Sequence, residues 1–134
     1  MTTLKIKVTK QILEESKYCG MNMQSCAVAR AVRDIFPNAS VHFKHIFPFG
    51  TLEFSHESNV DKIVKKLGVG GVINLPEDAT DFIRQFDSCP NICRSSLPEI
   101  EFEISIPDEV IEKININEIT PLLQNHPTLE LITN

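Results

Sequence analysis

The chain has 134 residues, a formal net charge of -5, 42% hydrophobic residues and 23% charged ones. That is the size and composition of one globular domain, which excludes a disordered tail, a collagen-like chain and a coiled-coil rod. No apolar run approaches the ~18 residues of a membrane-spanning helix, none follows a basic N-terminus as a signal peptide would, and the acidic balance argues against a nucleic-acid-coating protein.

In chain order, Leu4, Ile6 and Val8 alternate with Lys5 and Lys7, the period of a half-buried strand. Thr9 is a suitable N-cap for a short helix over residues 10–17. Residues 20–24 have no period and read as a loop. Ser25 can cap a helix over 26–35, with Val28, Ala31, Val32 and Ile35 on one face. Residues 39–47 are β-rich, and Pro48-Phe49-Gly50 turns them into a partner strand at 51–54, a hairpin with Phe47 and Phe49 at its tip.

Val60, Ile63, Val64 and Leu67 then have helical spacing, so a short amphipathic helix is expected over 59–67, stopped by the following glycines. Residues 72–75 make a brief strand. Pro76, Glu77 and Asp78 open a helix running to about Phe86, with Ala79, Phe82, Ile83 and Phe86 buried. Residues 87–97 read as a loop. In 99–106, Ile100, Phe102, Ile104 and Ile106 alternate with Glu99, Glu101, Glu103 and Ser105, the clearest strand of the chain. An α-rich region follows from Pro107, and 128–132 is a final strand or an extended tail. The expected architecture is α+β: a small mixed or antiparallel sheet of about four strands with helices on one face. Residues 1–106 form the core, and 107–134 a C-terminal helical appendage of the same domain.

Charge is divided along the chain. Residues 1–50 carry a net +4 and the remaining 84 a net -9. The two halves are expected to attract each other within one fold; otherwise each faces a partner of opposite charge. Cys89 and Cys93 have the spacing of a zinc knuckle, whereas Cys19 and Cys26 are too far apart for one. Zinc on these four is the minor reading. Free thiols in a cytosolic chain are the expected state, and no cofactor is expected.

His42 and His45, three apart on one strand, are expected on opposite faces, with His42 and Lys44 sharing a face. Arg30, Arg33, His42 and Lys44 are the candidate contacts for an anionic ligand. Phe47, Phe49, Glu99, Glu101 and Glu103 are the candidate contacts for a protein. Catalytic patterns are missing: Gly68-Val69-Gly70-Gly71 lacks the Lys-Ser/Thr of a phosphate loop, and there is no His-Glu-x-x-His and no Gly-x-Ser-x-Gly.

Three segments together carry a resemblance: Ser25-Cys26-Ala27-Val28-Ala29-Arg30-Ala31-Val32, then Leu75-Pro76-Glu77-Asp78-Ala79-Thr80-Asp81-Phe82-Ile83-Arg84-Gln85-Phe86-Asp87, then Glu99-Ile100-Glu101-Phe102-Glu103-Ile104. In this order, over roughly the first 105 residues, they resemble a family of small uncharacterised proteins of phages and bacteria. Those proteins have a Cys-x-Val-Ala helix and a Leu-Pro-x-x-Ala-x-x-Phe-Ile-x-x-Phe-Asp helix before a Phe-rich strand. The resemblance supplies no activity. It implies an accessory protein of the bacterial or host cytoplasm, of a kind that often binds proteins and inhibits host defence. The expected function is therefore non-catalytic protein binding, with a homo-oligomer as a further expectation and no membrane or nucleic-acid partner. The alternatives are a small-ligand or nucleotide-sequestering protein and a zinc-supported interaction module.

Overall fold

The computed structural model describes residues 2–18, 27–42, 44–57, 62–68 and 70–132, with residues 51–57, 62–68 and 91 described by their backbone. The expected loop over 20–24, the Ser25 cap, Cys19 and Cys26 lie outside them.

β1 (Thr2–Val8) is the central strand of a three-stranded sheet, between β7 (Ile100–Ile106) and β8 (Leu129–Ile132), both antiparallel to it. The alternation read from the sequence sets its two faces. Leu4, Ile6, Val8, Phe102, Ile104, Ile106 and Leu129 are buried on one side. The other side carries Lys5, Lys7, Glu101, Glu103 and Glu130. Thr9 ends β1 and caps α1 (Lys10–Ser16): its Oγ1 accepts from the amide of Ile12 at 3.2 Å. α2 (Ala27–Ala31) packs on β1. It is shorter than the helix expected over 26–35. The chain continues in turns through Phe36, and Val32, Ile35 and Phe36 still reach the core.

The second sheet has the order β2 (Ser40–His42), β3 (His45–Phe47), β6 (Ile73–Asn74). The expected hairpin is corrected here. β3 has β2 on one side and β6 on the other, so no edge of it remains for 51–54. Instead β4 (Thr51–Glu57) pairs with β5 (Lys62–Gly68), where a helix was expected. The apolar spacing of 63, 64 and 67 fits both structures. β-branched Ile63 and Val64 favour the strand, and β4 supplies the backbone partners that a lone short helix would lack.

α3 (Glu77–Ser88) packs on β7 and buries Ala79, Phe82 and Phe86 as expected; Ile83 is half-buried. It runs past Phe86. The expected loop after it holds a 3-10 helix, Asn91–Ser96. There Arg94, only 4% exposed, donates from Nε to the Phe86 carbonyl at 3.0 Å and lies over the Phe86 ring, 4.3 Å from its centroid. Burying the guanidinium is tolerable because carbonyls and a ring face replace its water.

α4 (Asp108–Ile111), α5 (Ile116–Leu122) and β8 make up the C-terminal segment. This segment gives Val110, Leu123 and Leu129 to the core, Leu123 from the cap that follows α5. The fold class is thus α+β, with its strands shared among two three-stranded sheets and one two-stranded hairpin.

Candidate functional site

α1, the turn after α2 and the approach to β8 enclose a cleft of about 180 Å³. Arg30 and Arg33 reach it from the α2 side, with Asp34 beside them, while Gln11 and Glu15 come from α1 and His126 from the strand approach. His126 has partners on both ring nitrogens. Its Nδ1 accepts from the amides of Thr128 at 3.1 Å and Leu129 at 3.2 Å. The ring proton therefore sits on Nε2, 2.6 Å from Oδ2 of Asp34, and is donated there. Thr128 Oγ1 donates to the Ala31 carbonyl at 3.0 Å. Both imidazole nitrogens are thus engaged within the fold, and His126 works as an anchor for β8.

The carboxylates of the cleft are engaged as well: Asp34 by His126, and Glu15 Oε1 by the Gln11 amide at 3.3 Å. Arg30 and Arg33 line the cleft, and guanidinium groups suit oxyanions such as carboxylate or phosphate through paired donors. The Asp34–His126 pair had no sequence signal, since 92 positions separate the two residues.

The four residues expected to hold an anion do not share one surface. Arg30 and Arg33 line the cleft, whereas His42 and Lys44 belong to the β2–β3 hairpin and do not line it. The chain reverses between His42 and His45, so the two histidines are cross-strand partners on one face, not on opposite faces. The single strand expected over 39–47 is thus two strands. His42 Nε2 is 2.9 Å from Ser40 Oγ, and both imidazoles lie beside Phe47, with centroids 5.2 and 6.1 Å away. Phe47 is half-buried. Phe49 is half-buried too, edge-on to Phe36 at 6.1 Å. The expected hairpin tip is therefore the root of the next hairpin.

The acidic ladder meets the basic front of the chain. Register places Lys5 between Glu103 and Glu130, and Lys7 opposite Glu101. Lys5 Nζ is 3.7 Å from Glu101 Oε2, and Glu99 accepts from the Lys10 amide at 2.9 Å. Cys89 is half-buried and Cys93 exposed, both as free thiols. Among the described residues, no three His, Cys, Asp or Glu gather as a metal site would need.

The remaining candidate is the β4–β5 hairpin. It interrupts the second sheet, because β3 and β6 on either side of it pair directly, Ile46 with Ile73. On one face the register joins Leu52 with Leu67, Phe54 with Lys65 and His56 with Ile63. On the other it joins Glu53 with Lys66, Ser55 with Val64 and Glu57 with Lys62. One face thus has four apolar positions, and the other has two rows of opposite charge.

The root on the β5 side is tight. Gly70 and Gly71 have φ of +77° and +128°, and a Cβ on Gly71 would lie 2.7 Å from Val110 Cγ2. Lys113 Nζ donates to the Gly70 carbonyl at 3.0 Å. The C-terminal segment thereby holds the place where the hairpin rejoins the body. Among the described residues no helix is long and apolar enough to cross a membrane. No protein-family model, curated protein or solved structure matches the chain.

Proposed function

We propose that this chain is a non-catalytic binding protein that acts by protein–protein contact, with the β4–β5 hairpin as its contact element. One observation carries the reading: among the described residues this hairpin is hydrogen-bonded to no third strand. Two strands alone are marginally stable in water, and their open edges are templates for further pairing. A partner that covers the apolar positions stabilises both. The resemblance supplies the setting, a phage or bacterial accessory protein in the cytoplasm whose partner belongs to a host defence system.

The test is a variant with residues 51–68 replaced by a short Gly-Ser turn. The paired β3 and β6 keep the two ends together, so the body is expected to retain its melting transition. A host protein captured by the full chain and lost by this variant, then reproduced with both proteins pure, supports the proposal. Capture that persists without the hairpin overturns it.

A second reading, sequestration of a small anionic ligand or nucleotide, is favoured by the two guanidiniums at the cleft. A ligand at a hundred times its Kd adds ~2.7 kcal/mol of stability. A thermal-shift screen of nucleotides and sugar phosphates therefore decides it, and a hit must disappear in Arg30→Ala with Arg33→Ala.

A further inference from the structure

We propose that the outer edge of β4 is a self-association surface, on which a second copy of this chain lays its own β4 antiparallel about Phe54 to make a four-stranded sheet. The argument comes from charge at the register positions. A two-fold axis perpendicular to the sheet keeps like faces together, and in the central registers, which pair most of the strand, Phe54, Ser55 or Glu53 lies opposite its own counterpart. With Ser55 on the axis, Glu53 lies opposite Glu57 of the second copy; with Glu53 on the axis, two glutamates face each other. Like charges directly opposite are destabilising.

With Phe54 on the axis, Thr51 lies opposite Glu57 of the second copy, Leu52 opposite its His56, and Glu53 opposite its Ser55. That register sets no like charges opposite each other, and it also uses all seven residues of the strand.

β5 behaves in the opposite way. Its sequence Lys-Ile-Val-Lys-Lys-Leu-Gly sets lysine opposite lysine in every central two-fold register: 65 on 65, 62 on 66, or 66 on 66. Lysine on an edge strand blocks pairing of this kind. Pairing of β4 with β5 of another copy escapes that clash, but it is head-to-tail and leaves an open edge at each end. The charge pattern therefore leaves one self-complementary edge and guards the other. The combined sheet would place the apolar positions 52, 54, 63 and 67 of both copies on one face. This inference adds to the partner-binding reading and does not depend on it, since capture of a host protein is scored separately.

Sedimentation equilibrium and native mass of the full chain over a wide concentration range test it. The expected species are monomer and dimer. Phe54→Lys sets two positive charges on the axis and is expected to weaken the dimer about tenfold. Ser55→Lys sets a positive charge opposite Glu53 of the second copy twice over and is expected to tighten it about threefold. A gain of that kind cannot come from misfolding, and the melting transition of the body monitors both variants. A chain that stays monomeric throughout, a dimer indifferent to both changes, or a ladder of higher oligomers overturns the proposal.

Discussion

Nε2 of His126 donates to Oδ2 of Asp34 across 2.6 Å, and the exposures of the two side chains are unequal, 12% against 65%. The histidine end is the structural one, because its other nitrogen satisfies the amides of Thr128 and Leu129. His126→Ala leaves those amides without their acceptor and is expected to cost about 1–3 kcal/mol in urea unfolding. Asp34→Ala removes an exposed partner and is expected to cost under ~1 kcal/mol. Equal losses would contradict the assignment of the ring proton to Nε2.

Gly71 is the second point of sensitivity. Its φ of +128° is one that side chains rarely adopt, and an added Cβ would press on Val110. Gly71→Ala is expected to destabilise by about 2 kcal/mol or more. Adding Val110→Ala removes the clash but not the backbone cost, so a double-mutant cycle by thermal unfolding should show favourable coupling with incomplete recovery. Strict additivity would mean that α4 does not press on the hairpin root.

Asp87 gives a dependence on pH. Burial raises the pKa of its carboxyl, and the attraction of nearby Arg94 offsets this only in part. The folded chain therefore binds the proton more tightly than the unfolded chain does, and this site loses stability as pH rises through the folded pKa. Asp87→Asn is expected to raise the melting temperature slightly at neutral pH. The gain should vanish in acid, below the ordinary aspartate range, where the wild-type group is also uncharged. A difference that stays constant with pH would exclude this role.

The elements legible in the sequence were those specified by local signals. β1 and β7 followed from strict alternation, α1 from the Thr9 cap, and α3 from the Pro76 start and its buried stripe. Where a local signal admitted two answers, distant pairing chose. Residues 63, 64 and 67 satisfied helical spacing, but the strand at 51–57 recruited them. His42 and His45 lie in one β-rich run, and the reversal between β2 and β3 puts them on one face. Whether Phe49 is exposed or packed is open in the sequence, because its partner, Phe36, is on another element. In the candidate sites, Arg30 and Arg33 were legible as cations. The pairing that fills the cleft beside them joins residues near 34 and 126, and nothing local marks either one.

Charge asymmetry was the most informative composition signal, and its meaning is structural. The positive front half and negative back half meet as Lys5 between Glu103 and Glu130. The ladder is consistent with the attraction expected between the halves.

The position of β1 also bears on how the chain reaches its fold. It precedes both of its neighbours, which come from residues 100–106 and 129–132. Its edge amides must wait for nearly the whole sequence before they have a strand partner, and closing so long a loop comes before any reward from the contacts it makes. Folding should therefore be slow for the size of the domain. The early chain would hold both edges of β1 unpaired, a target for chaperones during synthesis.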